Sequence, residues 1–357
     1  MTIDGSFKKA VRRHAEETGQ RYTQALTDLE ELQTRMFHEP SGERLAAHLR
    51  DRYGIDAAAA TKVSHHHDNV FRIDRRDGDP WIARAFSPAR PRAGAEGDAA
   101  IMRFLEQHDY PAERLTVDDA VSVCDGSTVL VSRFIPGGPL PMAVGNEGSE
   151  KFAIMGDLLG RLHTLPAGES VSRPGGASGD DPRHEGSPRQ DLLAALAFLD
   201  AVDTKVAAED RERFEKLRGL VRSADDGQGL PEALVHGNLL HAPDHVIAGK
   251  HGPAAINWKA SGRGPRLADF AWLMWGTWGN SDWIKLAVEA YRRHVELSQE
   301  ELERLDAVMH IRPLYLGCFG YRRDLVNGRP PSREVWGFVN PKHIRAIAAA
   351  TQAALRG

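Results

Sequence analysis

Residues 234–275 read LVHGNLLHAPDHVIAGKHGPAAINWKASGRGPRLADFAWLMW. Two short apolar runs, at 233–236 and 254–257, have the length and composition of strands, and each ends on a polar residue, His236 or Asn257. A third short strand signal, Val246-Ile247, lies between them. The sequence predicts a strand–loop–strand hairpin spanning 234–258. Gly262-Arg263-Gly264-Pro265 then interrupts the chain, and residues 267–276 return to apolar spacing with a helical period.

Outward from this stretch the two sides differ. On the C-terminal side nearly everything is helical by periodicity: 282–296, 298–325 and 341–356. Immediately upstream, FAIMGDLLGRLHTL (152–165) is a strong helix, and helices are expected at 191–202 and 209–222. Residues 167–190 hold almost no large apolar side chains, so burial cannot offset the entropy of ordering them, and a loop is expected. Further upstream, Pro136-Gly137-Gly138-Pro139 stops a strand and reads as a hinge.

Before the hinge the pattern is mostly β. Runs at 69–74 and 81–86 flank a loop containing Asp77-Gly78, and runs at 121–124 and 128–135 flank Asp125-Gly126; both read as hairpins. A breaker-rich loop at 88–97 and a helix at 98–108 separate them. The order is strand, strand, helix, strand, strand, hinge, then helices. That order predicts an α+β, protein-kinase-like two-lobed fold: a β-rich lobe at 41–138 and a helical lobe at 139–357. Residues 6–37 are expected to form an N-terminal helical extension (domain 1–40), whose basic cluster Lys8, Lys9, Arg12, Arg13, His14 is either a solvated face or a contact for phosphate or a protein partner.

Composition narrows the function classes. In 357 residues, 46 Lys and Arg oppose 50 Asp and Glu, for a net charge of −4, so no basic stripe for nucleic acid is expected. No apolar run reaches the roughly 18 residues of a membrane span, and MTIDGSFKKAVRRHAEE has no apolar signal core. Two cysteines, Cys124 and Cys318, support neither a disulfide framework nor a four-cysteine zinc site. A reducing cytoplasmic location is the expectation.

The order His236-Gly237-Asn238, Ile256-Asn257-Trp258, Gly262 to Pro265, and Leu267-Ala268-Asp269 resembles the aminoglycoside phosphotransferase and choline kinase-like family, as does Leu159-Gly160-Arg161-Leu162-His163 upstream. The resemblance covers roughly 60–300. It implies ATP with Mg as cofactors and transfer of a phosphoryl group to a small-molecule hydroxyl. In that family the position of Asn238 holds an acid that orients the hydroxyl and takes its proton, and the position of Asn257 holds an acid that binds the metal. Transfer through a loose transition state rests on positioning and charge, and Mg is a hard ion that prefers carboxylate oxygens. A carboxamide has an acceptor oxygen but no charge and no basic site. The expected consequence is weak or absent transfer, with a catalytically silent binding or regulatory protein as the alternative.

Other positions follow from the same resemblance. The family's metal-binding Asn falls on Pro243 by direct count or on His245 when the strand is aligned, with Asp244 beside it as the loop's acid. His236 and Asp269 are expected to be structural. Arg84 stands where a phosphate-contacting base would lie, against the alternative of a sheet-surface arginine, and its ion-pair partner would be Glu96 or Asp98. Phe134 and Ile135 would offer backbone groups to adenine. Ser64-His65-His66-His67-Asp68 holds no glycine for close approach to phosphate, and adjacent histidines converge poorly on one metal. Arg263 and Arg266 form either an anion clamp or a solvated turn. Trp258, Trp272, Trp275, Trp278 and Trp283 either pack the core or line a ligand site. Asp180, Asp181 and Glu185 are acidic candidates for a cationic acceptor, opposed by Arg173, Arg183 and Arg189.

Overall fold

A computed structural model of the chain describes Arg21 and residues 40–63, 69–88, 90–141, 148–168, 171, 173–175, 187–239, 245–331, 336–337 and 339–357. The expected helices at 6–37, the histidine run and Asp244 lie outside these residues, as does most of 167–190. Its content is mixed α+β, with strands concentrated before residue 140 and helices after it. The chain divides into two compact units: Met1–Ala95 with Thr116–Phe134 and Arg323–Pro331, and Glu96–Leu115 with Ile135–Arg322 and Ser332–Gly357.

The first unit is built on a five-stranded antiparallel sheet. Its strands are β1 (Ala57–Lys62), β2 (Asn69–Arg75), β3 (Trp81–Ala85), β4 (Val121–Cys124) and β5 (Ser127–Arg133), in the order β1-β2-β3-β5-β4. Both hairpins form where the turn residues predict them. Alternation sends Phe71 and Ile73 of β2 and Trp81, Ala83 and Ala85 of β3 into the core. Helix α1 (Gly42–Tyr53), which the sequence reading did not anticipate, packs against β1 with Leu45, Ala46 and Leu49 buried. Its ends carry clear signals: Ser41 Oγ accepts from Arg44 N–H, and Gly54 ends the helix in the left-handed region.

Helix α2 (Arg92–Gln107) starts about six residues before the expected position. Its glycines suggested a loop, yet the helix forms through them, and at Gly97 the missing side chain leaves room for Arg173, whose guanidinium would lie 2.9 Å from a Cβ. The hinge glycines also differ from expectation, because Gly137–Pro139 forms a short strand, β6, that pairs with β8 (Val246–Gly249).

The second unit contains α3 (Glu150–His163), α4 (Pro188–Asp200), α5 (Arg211–Arg222), β7 (Glu232–Val235), β8, β9 (Gly252–Ala255), β10 (Gly262–Pro265) and α6 (Arg266–Trp275). Beyond them lie α7 (Ser281–Arg292), α8 (Gln299–Val308), α9 (Ile311–Val326) and α10 (Pro341–Arg356). The two strands expected to form one hairpin do not pair with each other. β7 pairs with β10, while β9 pairs with β8 in a three-stranded β6-β8-β9 sheet. Local spacing could not choose among these partners, because several short strands compete for each edge. The 298–325 helix is likewise split, between α8 and α9, at Met309 and His310.

Two contacts fix this unit. Arg266, at the start of α6, donates from Nε and Nη2 to both carboxylate oxygens of the fully buried Glu301, at 2.8 and 2.7 Å. Glu301 also completes a capping box with Ser298 at the start of α8. Elsewhere α3 lies directly on α7 at Gly156, where a Cβ would come within 2.4 Å of the Ala287 carbonyl oxygen. Gly156→Ala is therefore expected to destabilise the protein by about 1–3 kcal/mol through overpacking. Gly138→Ala, whose Cβ meets nothing within 4 Å, is the near-neutral control, with urea midpoints as the readout.

Candidate active site

The site in the second unit is organised around a buried carboxylate. Asp269, in the first turn of α6, is 5 % exposed. Its Oδ2 accepts the backbone N–H of His236 at 2.7 Å, and its Oδ1 accepts that of Gly237 at 3.0 Å. His163 Nε2 lies 3.6 Å from Oδ2, an ion-pair distance, while His163 Nδ1 is 2.8 Å from the Tyr291 hydroxyl. Gly237 has φ 76°, and a Cβ there would sit 2.5 Å from the Ala260 carbonyl oxygen, so glycine is required on both counts. His236 donates from Nε2 to Ile256 O at 3.0 Å and accepts Asn238 N–H at Nδ1, 3.3 Å away. These bonds fix a single neutral tautomer, so His236 holds the loop and has no free ring nitrogen for proton transfer.

On this frame Asn238, His245 and Asn257 form one chain of hydrogen bonds. His245 Nδ1 donates to the backbone carbonyl oxygen of Asn238 at 2.7 Å. Its Nε2 is thereby the acceptor, and takes a hydrogen bond from Asn257 Nδ2 at 2.8 Å. Asn238 Oδ1 accepts from Arg312 Nη2 at 2.9 Å. Asn257 adopts φ 71°, ψ 66°, a left-handed conformation that Asn tolerates better than most residues. Its backbone N–H donates to Glu113 Oε1 at 2.7 Å. The structure thus brings together Asn238, His245 and Asn257, the three predicted residues of this loop that it describes.

Would this set hold Mg? The side chains are neutral, and both nitrogens of His245 are engaged within the chain of hydrogen bonds. The carboxylate joined to the set, Glu113, is buried and bonded to the Asn257 backbone. Among the described residues no three His, Cys, Asp or Glu side chains group as metal ligands. A hard divalent cation asks for carboxylate oxygens and open coordination positions, and these residues do not fit it.

The other predicted residues are placed as follows. Arg84 is buried (8 % exposed) on β3, opposite Val70 and Leu130, so it is not the solvent-facing sheet arginine of the alternative reading. Glu96 is exposed on α2. Asp98, the other candidate acid of that helix, is buried and pairs with Arg173 at 2.6 Å. Phe134 is half-buried beneath the Arg72 guanidinium, 4.6 Å from its ring centroid, and Ile135 is half-buried. The anion-clamp reading of Arg263 and Arg266 is corrected. Arg263 pairs with Glu232 at 2.7 Å and Arg266 with Glu301, so both charges serve the fold. Of the tryptophans, Trp258, Trp272 and Trp275 are buried, Trp272 and Trp275 stack at 4.8 Å, and Trp278 is 56 % exposed.

Two residues, Glu113 and Arg312, escaped the sequence reading, and Arg173 has a part that its reading as a charge near the acceptor did not foresee. Arg173 donates to Asp98, to Trp258 O and to Ser261 O, at 2.6, 2.8 and 2.7 Å, and so ties α2 to the turn after Asn257. Glu113 receives the Asn257 backbone N–H, and Arg312 donates to the Asn238 side chain. Of the two missed residues, Arg312 left a trace in sequence, as a single cation in the apolar run Ile311-Arg312-Pro313-Leu314-Tyr315-Leu316. A cavity in the second unit is lined by Arg312, Gly237, Asp269, Trp272 and Asp191, among others.

A family model described as the phosphotransferase enzyme family matches residues 59–307, and the chain belongs to that family. No curated protein matches the sequence. Among solved structures, spectinomycin phosphotransferase in complex with ADP and spectinomycin is similar at TM-score 0.59 and 14 % identity, covering 88 % of this chain and 100 % of that one. A choline/ethanolamine kinase family protein from Mesorhizobium loti is similar at TM-score 0.57 and 19 % identity, over 88 % and 98 %. Amicoumacin kinase in complex with AMP-PNP and Ca2+ is similar at TM-score 0.56 and 13 % identity, over 91 % and 93 %. At these identities the likeness establishes the kinase-like fold. No described helix is long and apolar enough to cross a membrane.

Burial alone would raise the Asp269 pKa, but His163 and the backbone donors outweigh it and hold the carboxyl below its ordinary 3.8. A depressed folded-state value means stability that is complete above 3.8 and lost as pH falls through the folded value. Asp269→Asn is expected to cost about 1–3 kcal/mol at neutral pH, because an amide cannot accept both loop N–H groups. It is also expected to flatten the acid limb of the stability curve below about pH 4, measured by urea unfolding between roughly pH 2 and 7.

Proposed function

We propose that this protein is a kinase-fold member of the phosphotransferase enzyme family whose phosphoryl transfer is weak or absent, and that it works by binding a nucleotide or small metabolite. The observation that carries this reading is the uncharged, hydrogen-bonded set Asn238–His245–Asn257. Where the family relies on two acids, this chain has two amides tied to protein neighbours. Neither amide can take a proton from an attacking hydroxyl, and neither supplies charge to neutralise a metal–phosphate complex. The loop frame beneath them, Asp269 with His236 and Gly237, is kept, which supports a site retained for binding. The ADP and AMP-PNP in the complexes of the similar kinases support nucleotide as a ligand class for this chain. If the protein does transfer, the acceptor is a small hydroxyl compound and the donor is ATP. A cytoplasmic location fits either reading.

Thermal-shift titration with ATP, with and without Mg, tests this reading. Any ATP stabilisation is expected to be as large in EDTA as in Mg. The double variant Asn238→Asp/Asn257→Asp is expected to make that stabilisation Mg-dependent and to raise ATP turnover by at least about 10²-fold, the order by which one charge-stabilising group acts. Wild-type ATP consumption at ordinary enzymatic speed on an alcohol would refute it.

A further inference from the structure

The joint between α8 and α9 holds a histidine and a carboxylate that stop just short of pairing. His310 precedes α9, and its carbonyl oxygen accepts the Leu314 N–H at 3.0 Å, so it occupies the N-cap position of that helix. Its side chain is 14 % exposed, and its Nε2 lies 3.8 Å from Oδ1 of Asp306, one turn back in α8. Among the described residues neither that oxygen nor His310 Nδ1 has a hydrogen-bond partner, although both atoms are buried. The separation is about 1 Å longer than a charge-assisted hydrogen bond. A neutral imidazole gains little by closing it, whereas an imidazolium gains an ion pair. The carboxylate sits near the end of α8 and the ring at the head of α9, so closure moves one helix end against the other. Arg312 makes that movement matter. It lies two residues beyond His310, in the first turn of α9, and its Nη2 donates to Asn238 Oδ1 at 2.9 Å. Val308, Met309, Ile311 and Arg312, which flank His310, line the cavity beside Gly237. A shift of about 1 Å takes a bond of that length past the limit of a hydrogen bond.

We infer that the α8–α9 joint is a proton-sensitive switch, in which charging His310 draws it onto Asp306 and loosens the hold of Arg312 on the Asn238 carboxamide. The charged groups that face the ring are Asp306 of α8 and Arg345 of α10. Asp306 favours the imidazolium. Burial and Arg345 oppose it, as does the positive end of α9 on which the ring sits. The opposition wins, burial first, and the ring titrates below its ordinary 6.5. His310 is thus uncharged and the joint open at neutral pH, and mild acid charges it. The neutral ring contributes stability that is complete above 6.5 and is lost as pH falls through the lower folded value.

The test is the side-chain amide NMR signal of Asn238, followed from about pH 8 to about pH 5 in the full-length protein without nucleotide. In the wild type it is expected to show a component with a midpoint below 6.5. In His310→Gln, which keeps a polar side chain without a titrating ring, that component is expected to vanish. His236 and His245 lie nearer to Asn238, and comparing the two proteins cancels their contribution. Asp306→Asn is expected to lower the midpoint, because the charge that favours the imidazolium is gone. It keeps the test open should His310→Gln fold poorly. Urea midpoints supply a second readout: between about pH 7.5 and 5.5 the wild type is expected to lose more stability than His310→Gln. A histidine with only a local role would give that stability difference and leave the Asn238 signal unmoved. The inference is overturned if that signal has no component below 6.5, if it titrates alike in wild type and His310→Gln, or if Asp306→Asn raises the midpoint. No readout involves ATP, so its failure is distinct from that of the weak-transfer reading.

Discussion

The grip of the Asp269 carboxylate on two consecutive backbone N–H groups, those of His236 and Gly237, is the contact on which the site depends. It is short, buried and charge-assisted, and it anchors the loop after β7 to the first turn of α6. Everything at the centre is referenced to it. His236, fixed by its neighbour, receives Asn238 N–H and donates to Ile256 O, so the two asparagines are held in register through one imidazole. Ser261 Oγ closes the same turn by donating to His236 O at 3.0 Å. Loss of this anchor would release the loop after β7 from α6.

Around the anchor, arginines serve as internal ties. Arg173 joins Asp98 of α2 to two carbonyl oxygens beyond Asn257, Arg266 joins α6 to α8 through Glu301, and Arg312 holds the Asn238 amide. Guanidinium suits this work because its planar fork satisfies several acceptors at once while its charge stays on at any working pH. A protein near neutral overall can therefore hold buried charge in its interior, provided that each group is met. The same logic explains why Arg263 and Arg266 are unavailable as an anion clamp.

The centre itself is a set of neutral groups in a frame suited to charged chemistry. A carboxylate and a carboxamide differ by one heavy atom, so Asn238 and Asn257 keep the shape of their positions and lose the electrostatics. His245 bridges them with both ring nitrogens and so ties the two positions to each other. The arrangement is coherent as a hydrogen-bond network and poor as a cation site.

What the sequence alone determined is the class of fold and the identity of the altered positions. Alternating strands around Asp-Gly turns and long helical periods are local signals, readable from spacing, and the amides at 238 and 257 are visible from residue type. What only the tertiary structure decided is pairing and orientation. Residues 232–235 find β10 and not the strand leading to Asn257. The start of α2 is helical despite its glycines, and Gly97 lies where Arg173 passes closest. Arg312, 74 residues from Asn238, sets which end of that amide is free. The physical reason is the same in each case: hydrogen-bond partners distant in sequence are chosen by packing, and packing leaves no periodic mark in the chain.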